Sequence, residues 1–194
     1  MKKAKIPVGV SSCLLGNKVR YDGGHKWNQA INQLLICRFE FIPLCPEVAV
    51  GLGTPREPIK LVHTKDSRIH AIGVNNHSLD ITQDLETFSR SKMPELSRLC
   101  GYIVKSKSPS CGLESVNISI NSNQYDVEGR GIFTRILLET YQSLPVVEEN
   151  HLDDPLMREV FFERVYAYAQ RLNYTESTKS KEKLMSGTVN CQDK

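Results

Sequence analysis

The spacing of apolar residues predicts that strands and helices alternate along the first half of the chain. The runs at 6–10, 39–44 and 102–104 are short and mostly apolar, which is typical of buried strands. Between the first two runs, apolar residues recur at helical spacing and predict an amphipathic helix. These positions are Trp27, Ile31, Leu34 and Leu35. Because strand, helix and strand form the right-handed unit of a parallel sheet, the pattern indicates an α/β fold.

The middle of the chain predicts a hairpin and a capped helix. Residues 59–64 and 68–74 alternate in character around 65–67, and we expect them to pair at the edge of the sheet. Residues 80–83 have the form of a capping box, which predicts that a helix begins there. We expect Pro94 to break or kink this helix, because proline lacks the backbone N–H of a helix interior.

Two strands and two helices are predicted after residue 115. Residues 116–120 alternate as a strand, and 144–147 form a short apolar strand. The helix between them is marked by Phe133, Ile136, Leu137 and Tyr141. Asp154 followed by Pro155 is typical of a helix start. The buried stripe of this last helix is expected at Met157, Val160, Phe161, Val165 and Tyr168.

The domain organisation follows from length and from the composition of the C-terminal end. A chain of 194 residues suits one α/β domain, and it buries about 70% of its unfolded surface. From Thr175 onward the residues are polar and rich in lysine, so they offer little apolar surface for packing. We therefore expect one domain over residues 1–172 and a polar, disordered tail over 173–194.

Charge and hydropathy narrow the class of partners. The formal net charge is only +3, and the 25 basic residues are scattered rather than gathered in a stripe. The chain begins without the apolar segment of a signal peptide, and no apolar run approaches the ~18 residues of a membrane span. We therefore expect a cytoplasmic protein without a nucleic-acid or membrane partner.

Three of the six cysteines occupy equivalent places in the predicted sheet. Cys13, Cys45 and Cys111 each follow the carboxyl end of a predicted strand. In an open α/β sheet, ligands bind beyond these strand ends, so we expect the three thiols to meet at one site. Three thiolates suit either a zinc ion or an iron–sulfur cluster, with the fourth metal position open to a substrate or water.

The other cysteines have simpler interpretations. Cys37 lies inside a predicted helix and Cys100 at the end of another, and both are expected to be small buried hydrophobes. Cys191 falls in the polar tail and is expected to be incidental. Without a signal peptide, free thiols or metal ligands are favoured over a disulfide framework.

Polar residues beside these cysteines are candidates for chemistry. Glu47 follows Cys45 by two residues and is either a general base or a surface carboxylate at a turn, two interpretations of equal weight. The loop before Cys111 carries hydroxyls that either contact a ligand or satisfy the loop backbone, and lysines that either offset thiolate charge or face solvent. These residues are Ser106, Ser108, Ser110, Lys105 and Lys107. Asp22 is a possible substrate contact, but an ordinary turn aspartate is favoured.

Four motifs in this order resemble the thiouracil desulfurase family, over roughly residues 6–147. They are Ser-Ser-Cys-Leu-Leu-Gly at 11–16, Val-Arg-Tyr-Asp-Gly-Gly at 19–24, Cys-Pro-Glu at 45–47, and Lys-Ser-Lys-Ser-Pro-Ser-Cys-Gly at 105–112. The resemblance implies a single Rossmann-like domain with a mainly parallel sheet. It also implies a [4Fe-4S] cluster at the C-terminal ends of the strands, held by Cys13, Cys45 and Cys111.

The same resemblance implies the chemistry and the residues that perform it. The fourth iron binds the sulfur of a thiocarbonyl, and a water near Glu47 and Ser106 attacks the carbon without net electron transfer. We therefore expect a non-redox desulfurase that acts on a small thiolated nucleobase such as thiouracil. The alternative is a non-catalytic metal-binding or interaction module.

Overall fold

The computed structural model describes residues 5–36, 38–64, 68–121 and 124–172. Four sequence predictions lie outside these residues: Cys37, Cys191, the turn at 65–67 and the tail at 173–194. Within them, no helix is long and apolar enough to cross a membrane.

The described residues form eight strands and four α-helices. The strands are β1 (Ile6–Ser11), β2 (Phe39–Leu44), β3 (Ile59–His63), β4 (Ile69–Gly73), β5 (Gly101–Val104), β6 (Val116–Asn121), β7 (Gln124–Gly129) and β8 (Val146–Glu148). The helices are α1 (Pro46–Ala49), α2 (Thr82–Leu96), α3 (Ile132–Thr140) and α4 (Pro155–Arg171). Two 3₁₀ turns, Ser12–Leu15 and Glu149–Asp153, and a π-helical turn, Ala30–Leu35, complete the secondary structure.

The main sheet contains four parallel strands in the order β2-β1-β5-β8. This arrangement confirms the predicted α/β fold with a mainly parallel sheet. The chain leaves β1 toward β2 on one side, whereas it leaves β5 toward β8 on the other. Such a reversal opens a crevice beyond the carboxyl ends of the two central strands, where α/β proteins bind their ligands.

A second sheet, in the order β4-β3-β6-β7, corrects one prediction. The predicted hairpin forms between β3 and β4, but it does not lie at the edge of the main sheet. It pairs instead with β6, in parallel, through Leu61 beside Ile118 and Val62 beside Ser119. The strand β7 was not predicted. Pairing between strands so distant along the chain leaves no trace in local alternation, so periodicity alone could not reveal this sheet.

Two apolar clusters cover the two faces of the main sheet. Tyr102 and Val104 point from β5 into the cluster built with α2, α3 and the second sheet. Ile103 points to the opposite face, where α4 and the π-helical turn pack. Neighbouring residues of a strand face opposite sides of the sheet. Since both sides are covered, all four residues of β5 are buried, and they are hydrophobic or glycine.

Pro94 was expected to break or kink helix α2; it does not break the helix, which continues to Leu96. Pro94 is exposed, so water can replace the backbone partner that proline cannot provide. The predicted capping box is also incomplete. Asp80 accepts a hydrogen bond from the Thr82 N–H at 2.9 Å, but the Gln83 side chain donates to Thr87 instead of returning to the helix start.

The apolar stripes of two predicted helices are partly wrong. In α4, Met157 and Val160 are exposed, whereas Phe162 and Ala169 are buried beside the predicted Phe161 and Val165. The predicted start of α4 is confirmed, because Asp154 accepts a hydrogen bond from the Leu156 N–H. The segment predicted as an amphipathic helix near residue 30 is the short π-helical turn, and Trp27 lies outside it and is 47% exposed.

Candidate active site

Three strand ends bring three thiols to one cavity of about 430 Å³. Cys13 lies in the 3₁₀ turn after β1, and Cys45 stands between β2 and α1. Cys111 lies in residues 105–112, the segment after β5 that we call the cysteine loop. The structure thus places Cys13, Cys45 and Cys111 at the crevice beyond the central strands, and Glu47 and Ser106 line the same cavity.

Cys13 and Cys111 are buried, Cys45 is partly buried, and the three thiols influence each other electrostatically. Burial and then the nearby Cys45 raise the pKa of Cys13 to about 11, although Arg20 and Lys105 oppose this shift. Burial and then Cys45 also raise the pKa of Cys111 well above its usual range. Without metal, these thiols therefore stay protonated at neutral pH, and metal binding must displace their protons.

The donor set fits an iron–sulfur cluster. Cys13, Cys45 and Cys111 are free thiols on the wall of one cavity. In the described parts of the chain, no three His, Cys, Asp or Glu side chains lie close enough to share a single metal ion. A cluster takes each thiolate on a different iron, so separate positions around a cavity are compatible with it.

The cysteine loop rests on the first turn of α3. The Ile132 N–H donates to the Pro109 carbonyl at 3.1 Å, and the Phe133 N–H donates to the Ser110 carbonyl at 2.9 Å. A side chain at Gly131 would place its Cβ 2.4 Å from the carbonyl carbon of Ser110. The glycine before α3 therefore allows the helix and the loop to approach each other closely.

Glu148 anchors the far end of the cysteine loop. Its carboxylate is buried in β8 and accepts hydrogen bonds from the N–H groups of Leu113 at 2.9 Å, Glu114 at 3.1 Å and Ser115 at 3.5 Å. Burial raises the pKa of Glu148, but the hydrogen bonds from Glu114, Leu113 and Ser115 outweigh it and hold the pKa below its ordinary value. The carboxylate is therefore charged at neutral pH and fixes the chain just after Cys111.

Glu47 is held on the cavity wall by two partners. The Arg56 guanidinium contacts Glu47 Oε2 through Nε at 3.0 Å and Nη2 at 2.9 Å. The Ser110 hydroxyl donates to the other oxygen at 2.8 Å. Arg56 also donates to the Val19 carbonyl at 2.9 Å, so it joins α1 to the loop after Cys13. Glu47 is thus an oriented, ion-paired carboxylate, and not the surface carboxylate that the sequence left open.

Ser106 belongs to a second network. Its N–H donates to Glu149 Oε2 at 2.6 Å, and its hydroxyl donates to Glu149 Oε1 at 2.8 Å. The Lys105 ammonium bridges the same two residues, at 2.6 Å to Glu149 Oε1 and 2.8 Å to Ser106 Oγ. Lys105 is therefore ion-paired and not solvated, and its charge also counteracts the rise in the pKa of Cys13, in agreement with the sequence interpretation that it offsets thiolate charge.

The remaining candidates divide between the cavity and the surface. Lys107 and Ser108 line the cavity, and the Ser108 hydroxyl accepts a hydrogen bond from the Cys111 N–H at 3.1 Å. Asp22 instead accepts a hydrogen bond from the Gly24 N–H at 2.9 Å, as an ordinary turn aspartate does.

Sequence reasoning missed three charged residues at this site: Arg56, Glu148 and Glu149. Arg56 lies in a loop rich in glycine and proline, and nothing in that loop indicated that its arginine would pair with Glu47. Glu148 is the last residue of β8 and Glu149 follows it, so both share the edge at which the cysteines lie. The rule that placed the cysteines at this edge, applied to β8, would have found both glutamates.

Fold and site together define an α/β protein with a three-cysteine cavity at the carboxyl edge of its parallel sheet. Within this class, the chain belongs to the 2-thiouracil desulfurase family, whose family model matches residues 8–149. This match confirms the resemblance inferred from the four motifs.

Two relatives cover most of the chain. An uncharacterized protein of Bacillus subtilis (strain 168), YbbK, is 28% identical over 156 residues, which is 76% of this chain and 98% of the relative. Among solved structures, the [4Fe-4S]-dependent thiouracil desulfidase TudS is 28% identical, with a TM-score of 0.58, and the match covers 78% of this chain and 94% of that one. The chain therefore shares its fold with a solved [4Fe-4S]-dependent thiouracil desulfidase.

Proposed function

We propose that this protein is a [4Fe-4S]-dependent desulfurase that hydrolyses the thiocarbonyl of a thiolated nucleobase such as thiouracil. The observation that carries the proposal is the cavity at which Cys13, Cys45 and Cys111 meet. Membership of the 2-thiouracil desulfurase family and the likeness to TudS support desulfuration as the reaction at this cavity.

Three residues of the chain hold the cofactor in this proposal. Cys13, Cys45 and Cys111 bind as thiolates, and one iron lacks a protein ligand. When bound, the cluster supplies a Lewis-acidic iron with an open position for the sulfur of the substrate. Burial raises the pKa of Cys13, and the cations Arg20 and Lys105 reduce this rise, so their charges favour the thiolate form.

Glu47 and Ser106 are the proposed catalytic residues, because both line the cavity and both are oriented by partners. They position a water so that its oxygen attacks the thiocarbonyl carbon, and Glu47 accepts a proton from that water. The overall change is C=S plus H₂O to C=O plus H₂S. No electrons are gained or lost, so the reaction consumes no oxidant or reductant.

The cofactor part of the proposal is tested by anaerobic reconstitution of cysteine variants. Wild-type protein should become brown, with a broad visible absorption band and about four irons per chain. Cys13→Ala, Cys45→Ala and Cys111→Ala should each lose most of this absorption. Cys100→Ala is the matched control, since Cys100 is also buried but packs in the apolar cluster beneath α4. A colourless wild-type protein that holds one zinc would contradict the assignment.

The catalytic part is tested with variants that leave the cysteines intact. Glu47→Gln and Ser106→Ala should keep the cluster absorption but lower sulfide release from 2-thiouracil by about 10²–10⁴-fold, the usual effect of removing a positioned general base. Glu40→Gln is the control, because Glu40 is an exposed carboxylate on β2. If cluster-loaded wild type released no sulfide from any thiolated base, the protein would be a metal-binding module instead.

A further inference from the structure

Glu149 has no role in the proposed reaction, but it accepts hydrogen bonds from Ser106, which has one. Its side chain is only 12% exposed, and both of its oxygens are engaged. Oε1 accepts from the Lys105 ammonium and from the Ser106 hydroxyl, and Oε2 accepts from the Ser106 N–H. Three donors therefore converge on one carboxylate beside the cavity.

The chemistry of these groups fixes the direction of the Ser106 hydroxyl. An ammonium only donates hydrogen bonds and a carboxylate only accepts them. Ser106 Oγ lies between the two, 2.8 Å from Lys105 Nζ and 2.8 Å from Glu149 Oε1. Its single proton must therefore point to Glu149, while one of its lone pairs faces Lys105. The hydroxyl has no proton left to donate to the cavity and can only accept a hydrogen bond there.

The Lys105 ammonium is committed to the same network. Its hydrogen bonds go to Glu149 Oε1, to Ser106 Oγ and to the Ser106 carbonyl at 3.0 Å. These three contacts use the three N–H donors of the ammonium. Lys105 therefore stabilises the Ser106–Glu149 pair, and its protons are not directed at a substrate.

We propose that Glu149 is a positioning residue that turns Ser106 into a hydrogen-bond acceptor for the attacking water. The inference rests on the proposed desulfurase function. With the Ser106 proton held by Glu149, the free lone pair of Ser106 accepts one hydrogen of the water, and a lone pair of the water oxygen is left for the thiocarbonyl carbon. Glu47 is held at the cavity by other partners, Arg56 and Ser110, and is independent of Glu149.

Glu149→Gln reverses part of this pattern at nearly constant size. An amide has one acceptor oxygen and one NH₂ donor, whereas the site presents three donors to two acceptor atoms. If the NH₂ group faces the Lys105–Ser106 side, Ser106 loses the acceptor that held its proton. If it faces the Ser106 N–H, that N–H meets a donor and the backbone that carries the hydroxyl must shift. We expect kcat for sulfide release from 2-thiouracil to fall about 10- to 100-fold, as for a misplaced catalytic group, with KM nearly unchanged.

A double-mutant cycle distinguishes positioning from general damage. If Glu149 acts through Ser106, Glu149→Gln should lower kcat in wild type but have no further effect in Ser106→Ala. Asp153→Asn is the matched control, since Asp153 is an exposed carboxylate of the same 3₁₀ turn. Two readouts independent of turnover accompany kcat: the cluster absorption, and the change in that absorption when thiouracil is titrated. Both should match wild type in Glu149→Gln.

Each contrary result has a definite meaning. An equal loss of kcat from Glu149→Gln in both backgrounds, or no loss in an active wild type, would overturn the inference. Glu149→Asp keeps the charge but shortens the side chain by one methylene group. It should therefore lower kcat less than Glu149→Gln does. If neither variant folded, the carboxylate would be purely structural and the inference would be wrong. A wild type that holds its cluster but releases no sulfide would instead refute the proposed function.

Discussion

Replacing Glu148 tests how the chain holds Cys111 in place. This carboxylate is 1% exposed and joins β8 to the residues that follow the cysteine loop. Its Oε1 accepts from three successive N–H groups and from the Ser115 hydroxyl, and Oε2 accepts from the same hydroxyl at 2.9 Å. Glu148→Ala removes every one of these contacts, whereas Glu148→Gln keeps an acceptor oxygen and removes the charge.

The magnitude follows from the exposure of the donors. Leu113 is buried, so its N–H is left without water when the carboxylate is removed, at about 1–3 kcal/mol. Water can reach the N–H groups of Glu114 and Ser115 in part, and each contributes about 1 kcal/mol or less. We therefore expect Glu148→Ala to lower the free energy of unfolding by about 2–4 kcal/mol. Glu148→Gln should lower it by about 1–2 kcal/mol, the difference between charged and neutral acceptors.

The pH dependence has a defined sign. The folded-state pKa of Glu148 lies below its ordinary value of 4.5, so its charge stabilises the fold. This contribution is complete above about pH 4.5 and disappears as the pH falls through the folded-state pKa. Urea unfolding of cluster-free wild type and Glu148→Gln should therefore differ most near neutral pH, and the difference should shrink in acid.

The control for this prediction is Glu114→Gln. Glu114 lies in the same segment with an exposed side chain, so its substitution should change the free energy of unfolding by less than about 0.5 kcal/mol. If Glu148→Gln were as stable as wild type at neutral pH, or if their difference grew in acid, the carboxylate would not stabilise the fold as a charged acceptor.

Two further substitutions test packing near the site. Gly131→Ala should lower the free energy of unfolding by about 1–3 kcal/mol, because the new carbon would overlap the backbone of Ser110. It should also reduce the iron retained per chain. The control is Gly24→Ala, which should have a smaller effect, since the nearest atom to its new carbon is a side-chain oxygen at 3.1 Å. Tyr102→Phe should raise the free energy of unfolding of the cluster-free protein by up to about 1 kcal/mol, since its buried hydroxyl has no hydrogen-bond partner among the described residues. A clear loss of stability in thermal unfolding would show that this hydroxyl is bonded.

The main sheet could be predicted from the sequence because its strands are marked locally. Both faces of β5 are buried, so its residues form one continuous apolar run, and β1 is buried along its whole length in the same way. Parallel strands share a carboxyl edge, and that single rule brought Cys13, Cys45 and Cys111 to one place. The prediction needed no knowledge of individual contacts.

The second sheet and the helix faces could not be predicted in the same way. The pairing of β3 with β6 joins residues 57 positions apart, such as Leu61 and Ile118, and no local pattern encodes such a partner. In α4, apolar residues occur on more than one side, so periodicity did not show that Phe162 would be buried and Met157 exposed. Tertiary packing decides between such faces.

The partners of the candidate catalytic residues were also beyond the sequence. The motifs pointed to Glu47 and Ser106, but their hydrogen-bond partners, Arg56 and Glu149, come from other segments of the chain. Such pairs depend on side-chain geometry that only a folded structure provides. This is why the sequence left the environment of Glu47 open and could not show that Glu149 contacts Ser106.

The most direct test of the proposed function is the stoichiometry of turnover by wild-type protein. Anaerobically reconstituted enzyme is mixed with 2-thiouracil, without reductant or oxidant, and sulfide and uracil are measured together. Hydrolysis predicts that both products appear in equal amounts and over many turnovers per cluster. Absence of both products, or a requirement for a stoichiometric redox reagent, would contradict the proposal that this cavity hydrolyses a thiocarbonyl.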